Sequence, residues 1–335
     1  MAALGLAIDT TFDDTSVAIV RGANTVLANL TISQFEDHKA FGGVVPERAS
    51  RRHLEVIHPL IDRALAEAEL SYRDLDWVAA SNRPGLLGAI LVGLSVAKSL
   101  SYALDIPLIG INHIEAHPYA GMIEHDDVTF PLINLVVAGG HTLLIHQRGH
   151  GDWTVVGRSV DDAAGECADK VARIFGLPMP GGKAIDDIAM VTAAGDYDFP
   201  RPLLNQDNLD FSFSGLKTAM KRFHDAHFSP EGNIAKEPVL AAFFESVCDV
   251  LVAKTLRAAD RYGVGTITVS GGLAASRRLR RRFADAAAQT DLRLIHPRAA
   301  LCTDNAAMVG CLASYYYAAG RRDTLDLRAV PNISD

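Results

Sequence analysis

LGLAIDTTFDDTSVAIV, from Leu4 to Val20, decides how the rest of the chain is read. An apolar strand enters a turn of small and polar residues, and a second β-rich stretch leaves it at once. The segment therefore reads as a hairpin closed at Asp9-Thr10-Thr11. The plan recurs in PLINLVVAGGHTLLIHQ, Pro131 to Gln147, around Gly139-Gly140. In GTITVSGGLAASRRLRRRF, Gly265 to Phe283, the strand again meets a glycine pair, but a helix follows. Helical stretches lie between, one over His53 to Leu70 with apolar positions at Leu54, Ile57, Ile61, Leu65 and Ala68, another over Leu86 to Leu104. Alternating β and α segments imply α/β layers, with helices covering sheets. Two similar openings predict two similar lobes facing each other across a nucleotide cleft; a single larger α/β domain with two unrelated hairpins is the alternative. The expected division is residues 1–110 plus 305–335 as an N-terminal lobe closed by the C-terminal helix, and 111–304 as a second lobe. No Pro-, Ser- or Gly-rich linker separates them, so close packing with a hinge is expected.

A length of 335 residues with 49% hydrophobic residues suits two packed lobes. The formal net charge of -8 gives no general attraction for phosphate backbones, so any nucleic-acid contact must be local or shared with a partner. Cys167, Cys248, Cys302 and Cys311 contain no C-x-x-C pair and indicate neither a zinc ribbon nor a disulfide framework. The N-terminus lacks the basic start and long apolar core of a secretory signal. The weakly polar run Gly85 to Ala97 is shorter than the roughly 20 residues of a membrane-spanning helix. A cytoplasmic protein with no membrane contact is expected.

In Asn112-His113-Ile114-Glu115-Ala116-His117, helical geometry would set His113 and His117 within about 40° of each other, able to share one metal ion or simply to be two ordinary helix histidines. A zinc protease would place glutamate directly after the first histidine; Glu115 is instead roughly 200° around the helix, on the wrong side for a metal-water base. Further on, Thr303 or Asp304 can cap the helix running to about Ala319, and Asp304 can also complete a His-His-Asp site. Glycine pairs at Gly139-Gly140, Gly181-Gly182 and Gly271-Gly272 allow backbone amides to approach a phosphate closely, although each is also an ordinary turn. Ser159 to Lys170 resembles a helix capped by Ser159, with Asp162, Glu166 and Asp169 sharing a face turned to solvent or to ribose hydroxyls. The arginine run Arg277-Arg278-Leu279-Arg280-Arg281-Arg282 is a solvated helix face or an RNA-backbone contact.

Taken in order, AIDTTFDDTSVAIV, FGGVVPERASRRH, RPGLLGAILVG, NHIEAH, AGGHTLL, SVDDAAGECADK, PMPGGKAID, LDFSFSGLKT, SGGLAAS and CTDNAAM resemble the TsaD family across nearly the whole chain. These are the universal tRNA N6-adenosine threonylcarbamoyltransferases, once labelled O-sialoglycoprotein endopeptidases. The resemblance implies an actin-like ATPase (ASKHA) fold. It implies one divalent metal, iron or zinc, on His113, His117 and Asp304. It places Val136, Val137, Ala138, Gly139, Gly140, Asp169, Gly182, Asp186 and Ser276 around threonylcarbamoyl-adenylate, whose acyl group passes to an adenosine next to the anticodon of tRNA. Asp13 is the residue it suggests for assisting proton removal or positioning the amine. A paralogous TsaB-type subunit and a small TsaE-type ATPase are the implied partners. Three positions depart from the family's pattern. Ala138 stands for its usual Ser, Ser276 for its usual Asn, and Arg83 precedes Pro84-Gly85 where a small residue is expected. A small-molecule kinase of the same fold would leave the two histidines and Asp304 without a joint role, and a non-catalytic scaffold paralogue would not need them.

Overall fold

The computed structural model describes residues 2–39, 41, 43–125, 127–228 and 234–332, so Gly42 of the FGGVVPE motif and the last three residues lie outside the described residues. The chain divides into two compact units, Met1–Val128 with Asp304–Asp335, and Thr129–Thr303. The first contains β1 (Leu4–Asp9), β2 (Asp14–Arg21), β3 (Thr25–Ser33), α1 (Phe35–Lys39), α2 (Pro46–Glu67), β4 (Trp77–Arg83), α3 (Leu87–Leu104), β5 (Leu108–Asn112), α4 (His113–Ala116) and α5 (Tyr119–Met122). The second contains β6 (Leu132–Val137), β7 (Thr142–Gly149), β8 (Asp152–Arg158), α6 (Ala164–Ile174), α7 (Gly181–Val191), α8 (Ser214–His227), α9 (Lys236–Tyr262), β9 (Thr266–Ser270), α10 (Arg277–Ala287) and β10 (Arg293–Ile295). The chain then returns to the first unit with α11 (Ala306–Ala318).

Each unit is built on a five-stranded mixed sheet, and the two sheets repeat one topology. The orders are β3-β2-β1-β4-β5 and β8-β7-β6-β9-β10. In the first, β1–β2 and β2–β3 pair antiparallel while β4 and β5 run parallel to β1. The second has the same pattern around β6. The repeated hairpin read from the sequence is thus the first half of each sheet.

Packing explains the boundaries. In the first unit Leu6 and Ile8 of β1, Val17 and Ile19 of β2, and Ile57, Leu60, Ile61 and Leu65 of α2 share one apolar cluster. Full burial of each such side chain contributes about 1.5–3 kcal/mol. Gly5 is required here, since a Cβ would lie 2.0 Å from the Trp77 indole. α2 begins at Pro46 rather than His53, because proline is accepted in the first turn, where no amide partner is lost. α3 runs through Lys98 to Leu104, beyond the apolar run seen in the sequence. By length and composition alone it could cross a membrane, but Ile90, Leu94 and Ala97 are buried within the unit, where α3 packs on β4 and α2. In the second unit, Phe243, Phe244, Val247 and Leu251 of α9 are fully buried with Ile133, Leu135 and Val137 of β6. After α11 the chain covers the edge of β5, with Asp323 N donating to Leu108 O at 2.9 Å and Gly110 N to Asp323 Oδ2 at 2.8 Å.

The division of the chain differs from that expected. α4 belongs to the first unit, not the second, because β5 is a strand of the first sheet and Asn112 at its end is the N-cap of α4, leaving no room for a crossing before His113.

Candidate active site

α4 is a single turn, and the Asn112 side chain fixes it by accepting from Ile114 N at 2.9 Å and Glu115 N at 3.4 Å. His113 and His117 then project from one face, with ring centroids 4.7 Å apart. Asp304 arrives from the other end of the sequence. Its place is set by α11, whose first amides donate to Ser16 Oγ of β2 (Ala306 N, 2.8 Å) and Asn29 Oδ1 of β3 (Ala307 N, 3.2 Å). Asn305, not Thr303 or Asp304, is the N-cap of α11, accepting from Met308 N at 3.1 Å. Asp304 precedes the cap by one residue.

His113 Nε2 and His117 Nε2 lie 3.5 and 3.6 Å from Asp304 Oδ1, and the three ligand atoms are all within 4.8 Å of one another. These separations are long for hydrogen bonds. They suit donors that share a cation, since ligands about 2 Å from one tetrahedral ion stand roughly 3.4 Å apart. Two imidazole nitrogens and a carboxylate oxygen, with both rings 1% exposed, fit a divalent transition metal. Asp9, 2% exposed, accepts from His113 Nδ1 at 2.9 Å, which turns the Nε2 lone pair toward Asp304; Thr11 Oγ1 is 3.2 Å from the same nitrogen. Burial works against charge on His113, but Asp9 and Asp304 outweigh it and hold its pKa well above the ordinary histidine value. The field that favours a proton there also favours a cation. Glu115 is buried and accepts from the Tyr316 hydroxyl at 2.7 Å, so its carboxylate is engaged on the far side of the turn.

Asp13 ends the turn from β1 to β2, and Asp14 opens β2. Burial first, and then the charge of Asp304, raises Asp13 above the usual aspartate range. Burial also pushes Asp14 up to about 7.

In the second unit the glycine segments meet at the ends of β6 and β9. Gly271 has φ +92°, and a Cβ there would lie 2.5 Å from the Val137 carbonyl carbon, so only glycine lets the two strand ends approach. Gly139 and Gly140 are exposed, with open space around each Cα. Gly165, which sequence reasoning passed over, packs in the first turn of α6 against this turn; a Cβ would meet Ala138 O at 3.0 Å. Asp169 Oδ1 accepts from Gly181 N and Gly182 N at 2.7 and 3.3 Å and so caps α7. Asp186 accepts from Ser276 Oγ, Arg277 N and Arg278 N at 2.6, 3.0 and 2.9 Å, capping α10. Val136 to Gly140, Asp169, Gly182, Asp186 and Ser276 therefore belong to one framework, with both carboxylates already holding helix ends.

Two local readings change. α6 starts at Ala164, not after Ser159, and its first amide donates to Thr142 Oγ1 at 2.9 Å. Asp162 does not cap it; Lys170 and Lys217 bind its carboxylate at 2.9 and 2.6 Å. The arginine run is also largely engaged within its own unit. Arg278 and Arg282 bind Glu245, Arg282 binds Asp249, Arg277 binds Asp187 at 2.8 Å, and Arg280 donates to Ala274 O and Pro297 O at 2.7 and 2.6 Å. It ties α10 to α7, α9, the preceding turn and the segment after β10 rather than forming a free basic face.

Residues 25–311 match the family described as TsaD: tRNA N6-adenosine threonylcarbamoyltransferase. Proteins bearing the name tRNA N6-adenosine threonylcarbamoyltransferase from Staphylococcus haemolyticus (strain JCSC1435) and Bacillus thuringiensis (strain Al Hakam) are 45% and 46% identical over 98% of this chain and 95% of theirs. One from Clostridioides difficile (strain 630) is 42% identical over 98% of this chain and 97% of its own length. Among solved structures, full-length HypF in its phosphate- and nucleotide-bound form aligns with a TM-score of 0.61 at 15% identity, over 94% of this chain and 55% of that one. Component A of the Acidaminococcus fermentans (R)-2-hydroxyglutaryl-CoA dehydratase aligns with a TM-score of 0.54 at 14% identity, over 95% and 99%. Both likenesses are of fold: two mixed α/β units of the actin-like ATPase class.

Proposed function

The chain belongs to the TsaD family, the tRNA N6-adenosine threonylcarbamoyltransferases, and from that premise we propose how its own residues form threonylcarbamoyladenosine in tRNA. The observation that carries the proposal is the buried convergence of His113, His117 and Asp304, with Asp9 orienting His113. These three would hold one divalent ion, iron or zinc. When bound, such an ion supplies positive charge that orients and offsets an anionic acyl donor.

The donor is threonylcarbamoyl-adenylate, a mixed anhydride with AMP as leaving group. The N6 amine of an adenosine next to the anticodon attacks the carbamoyl carbon; the bond to the phosphate oxygen breaks, AMP departs with the electron pair, and the amine loses a proton. Backbone amides of the exposed Gly139-Gly140 turn donate to the donor's phosphate or acyl oxygens, a role that needs no side chain, so Ala138 in place of Ser leaves it intact. Asp169 and Asp186 act by holding the first turns of α7 and α10 in place around Gly182 and Ser276. Asp13, whose carboxyl burial holds above the usual aspartate range, accepts the proton or positions the amine.

The reaction belongs in the cytoplasm, in assembly with a paralogous subunit and a small ATPase. An apolar helical surface supports the paralogous partner: Leu54 of α2 and Leu87 and Leu91 of α3 are exposed on adjacent helices of the first unit. To test the whole reading, metal-loaded protein is mixed with threonylcarbamoyl-adenylate and unmodified tRNA, with and without those partners, and the digested tRNA is examined by mass spectrometry. The modified nucleoside should form, and should be lost in the His113→Ala/His117→Ala/Asp304→Ala variant. No modified nucleoside under any combination would overturn the assignment of this chemistry.

A further inference from the structure

His53 is fully buried on α2, and both ring nitrogens are used on the turn that carries Asp13. Nε2 lies 2.9 Å from Phe12 O, which can only accept, so Nε2 carries the proton and donates. Nδ1 then accepts from Thr15 Oγ1 at 2.7 Å. One imidazole therefore spans the end of the turn and the start of β2, from Phe12 to Thr15, with Asp13 and Asp14 between these two contacts. Gln34 ties into the same turn and histidine, with its Nε2 3.4 Å from His53 Nδ1. Its amide donates to Asp13 O at 3.2 Å, and its side chain donates to Ala49 O of α2 at 3.3 Å. Phe12 in turn sets its ring edge against His113, with centroids 5.9 Å apart at 70°.

A buried histidine with its ring nitrogens satisfied is commonly just a core residue. Here the two shortest contacts lie at Phe12 and Thr15, either side of the turn's end and the start of β2, and that stretch bears the proposed proton acceptor and touches a proposed metal ligand. We propose that His53 is a positioning residue for the transfer reaction, holding the Phe12–Thr15 stretch so that the Asp13 carboxylate and the Phe12 ring keep their places. The inference rests on the role given to Asp13 above.

The test is a double-mutant cycle on the metal-loaded full chain, read by single-turnover transfer from threonylcarbamoyl-adenylate to tRNA in the assembled system. A misplacement of about 1 Å can cost on the order of 100-fold in rate. His53→Phe, which keeps a flat ring and removes both hydrogen bonds, should lower the rate at saturating adenylate by about 10–100-fold. Adenylate affinity and metal content should change by less than about threefold. His53→Gln, which can still donate toward Phe12 O, should recover most of the rate. In an Asp13→Asn background, His53→Phe should cost no more than about twofold further, because the positioned group is already gone. Should His53→Phe fail to fold, Thr15→Val removes one of the two contacts at nearly constant volume and should show a smaller loss with the same dependence on Asp13. A His53→Phe enzyme with normal rate would overturn the proposal, as would an equal loss with and without the Asp13 carboxylate. A fully active Asp13→Asn enzyme would instead remove the reading on which the proposal stands, and the two failures are told apart by that single variant.

Discussion

Asp9 gives the sharpest quantitative expectation. Its Oδ2 accepts from His113 Nδ1 at 2.9 Å in a site where the carboxylate is 2% exposed and the ring 1% exposed. Asp9→Asn keeps the shape and can keep a neutral acceptor, but removes the charge. A hydrogen bond to a charged group contributes about 1.5–3 kcal/mol, against about 0.5–1.5 for a neutral pair. The difference of about 1–1.5 kcal/mol corresponds to about tenfold weaker metal binding. Asp9→Ala removes the acceptor altogether. Thr11 Oγ1, 3.2 Å from the same nitrogen, can take over part of its role, so the loss should lie within the roughly 10–100-fold range seen when a partner behind a ligating histidine is removed. The assay is metal competition against a chromophoric chelator at fixed pH, with bound metal counted by elemental analysis. If Asn and Ala at position 9 both leave the dissociation constant within about twofold of the wild type, while His113→Ala abolishes binding, Asp9 does not orient the ligand and the reasoning fails.

Asp14 predicts a pH dependence. Its folded-state pKa of about 7 lies above the ordinary aspartate value, so between those pH values the native state binds more protons than the unfolded chain, and stability falls as pH rises from about 4 through 7. In chelator-treated protein, Asp14→Asn should flatten that slope and raise stability at pH 8 by roughly 1–3 kcal/mol after allowing for solvent screening, measured by urea unfolding across pH. For the arginine run, Glu245→Ala strands Arg278 and leaves Arg282 with Asp249 alone, and should cost about 1–3 kcal/mol in the same assay, the pairs being only partly exposed; Arg278→Gln with Arg282→Gln should leave the salt dependence of tRNA binding unchanged in the assembled complex. Leu87→Glu with Leu91→Glu should weaken association with the proposed paralogous subunit at least about tenfold without altering metal content, as read by sedimentation and elemental analysis.

By itself the sequence determined the fold class and the pieces of the site. Strand-turn-strand patterns at Leu4–Val20 and Pro131–Gln147 are local, each hairpin being closed by its own turn residues, and they reappear as matching halves of two sheets. The four-residue step from His113 to His117 is a property of one helical turn, and the position of Glu115 on its far side was legible for the same reason. Tertiary structure decided what depends on partners distant in the chain. Asp304 could be read as cap or ligand from sequence; in the fold Asn305 takes the cap, and the start of α11 is tied to Ser16 and Asn29, which sets Asp304 beside the two histidines. The arginines of α10 looked like a free basic face because a charge run does not reveal its counterions; Glu245 and Asp249, one turn apart on α9, supply them. Asp9 was legible only as a turn residue and His53 only as a helix residue, since a lone aspartate at a strand end or a lone histidine on a helix gains a particular role only when folding desolvates it against a particular neighbour and its hydrogen bond can fix that neighbour's place.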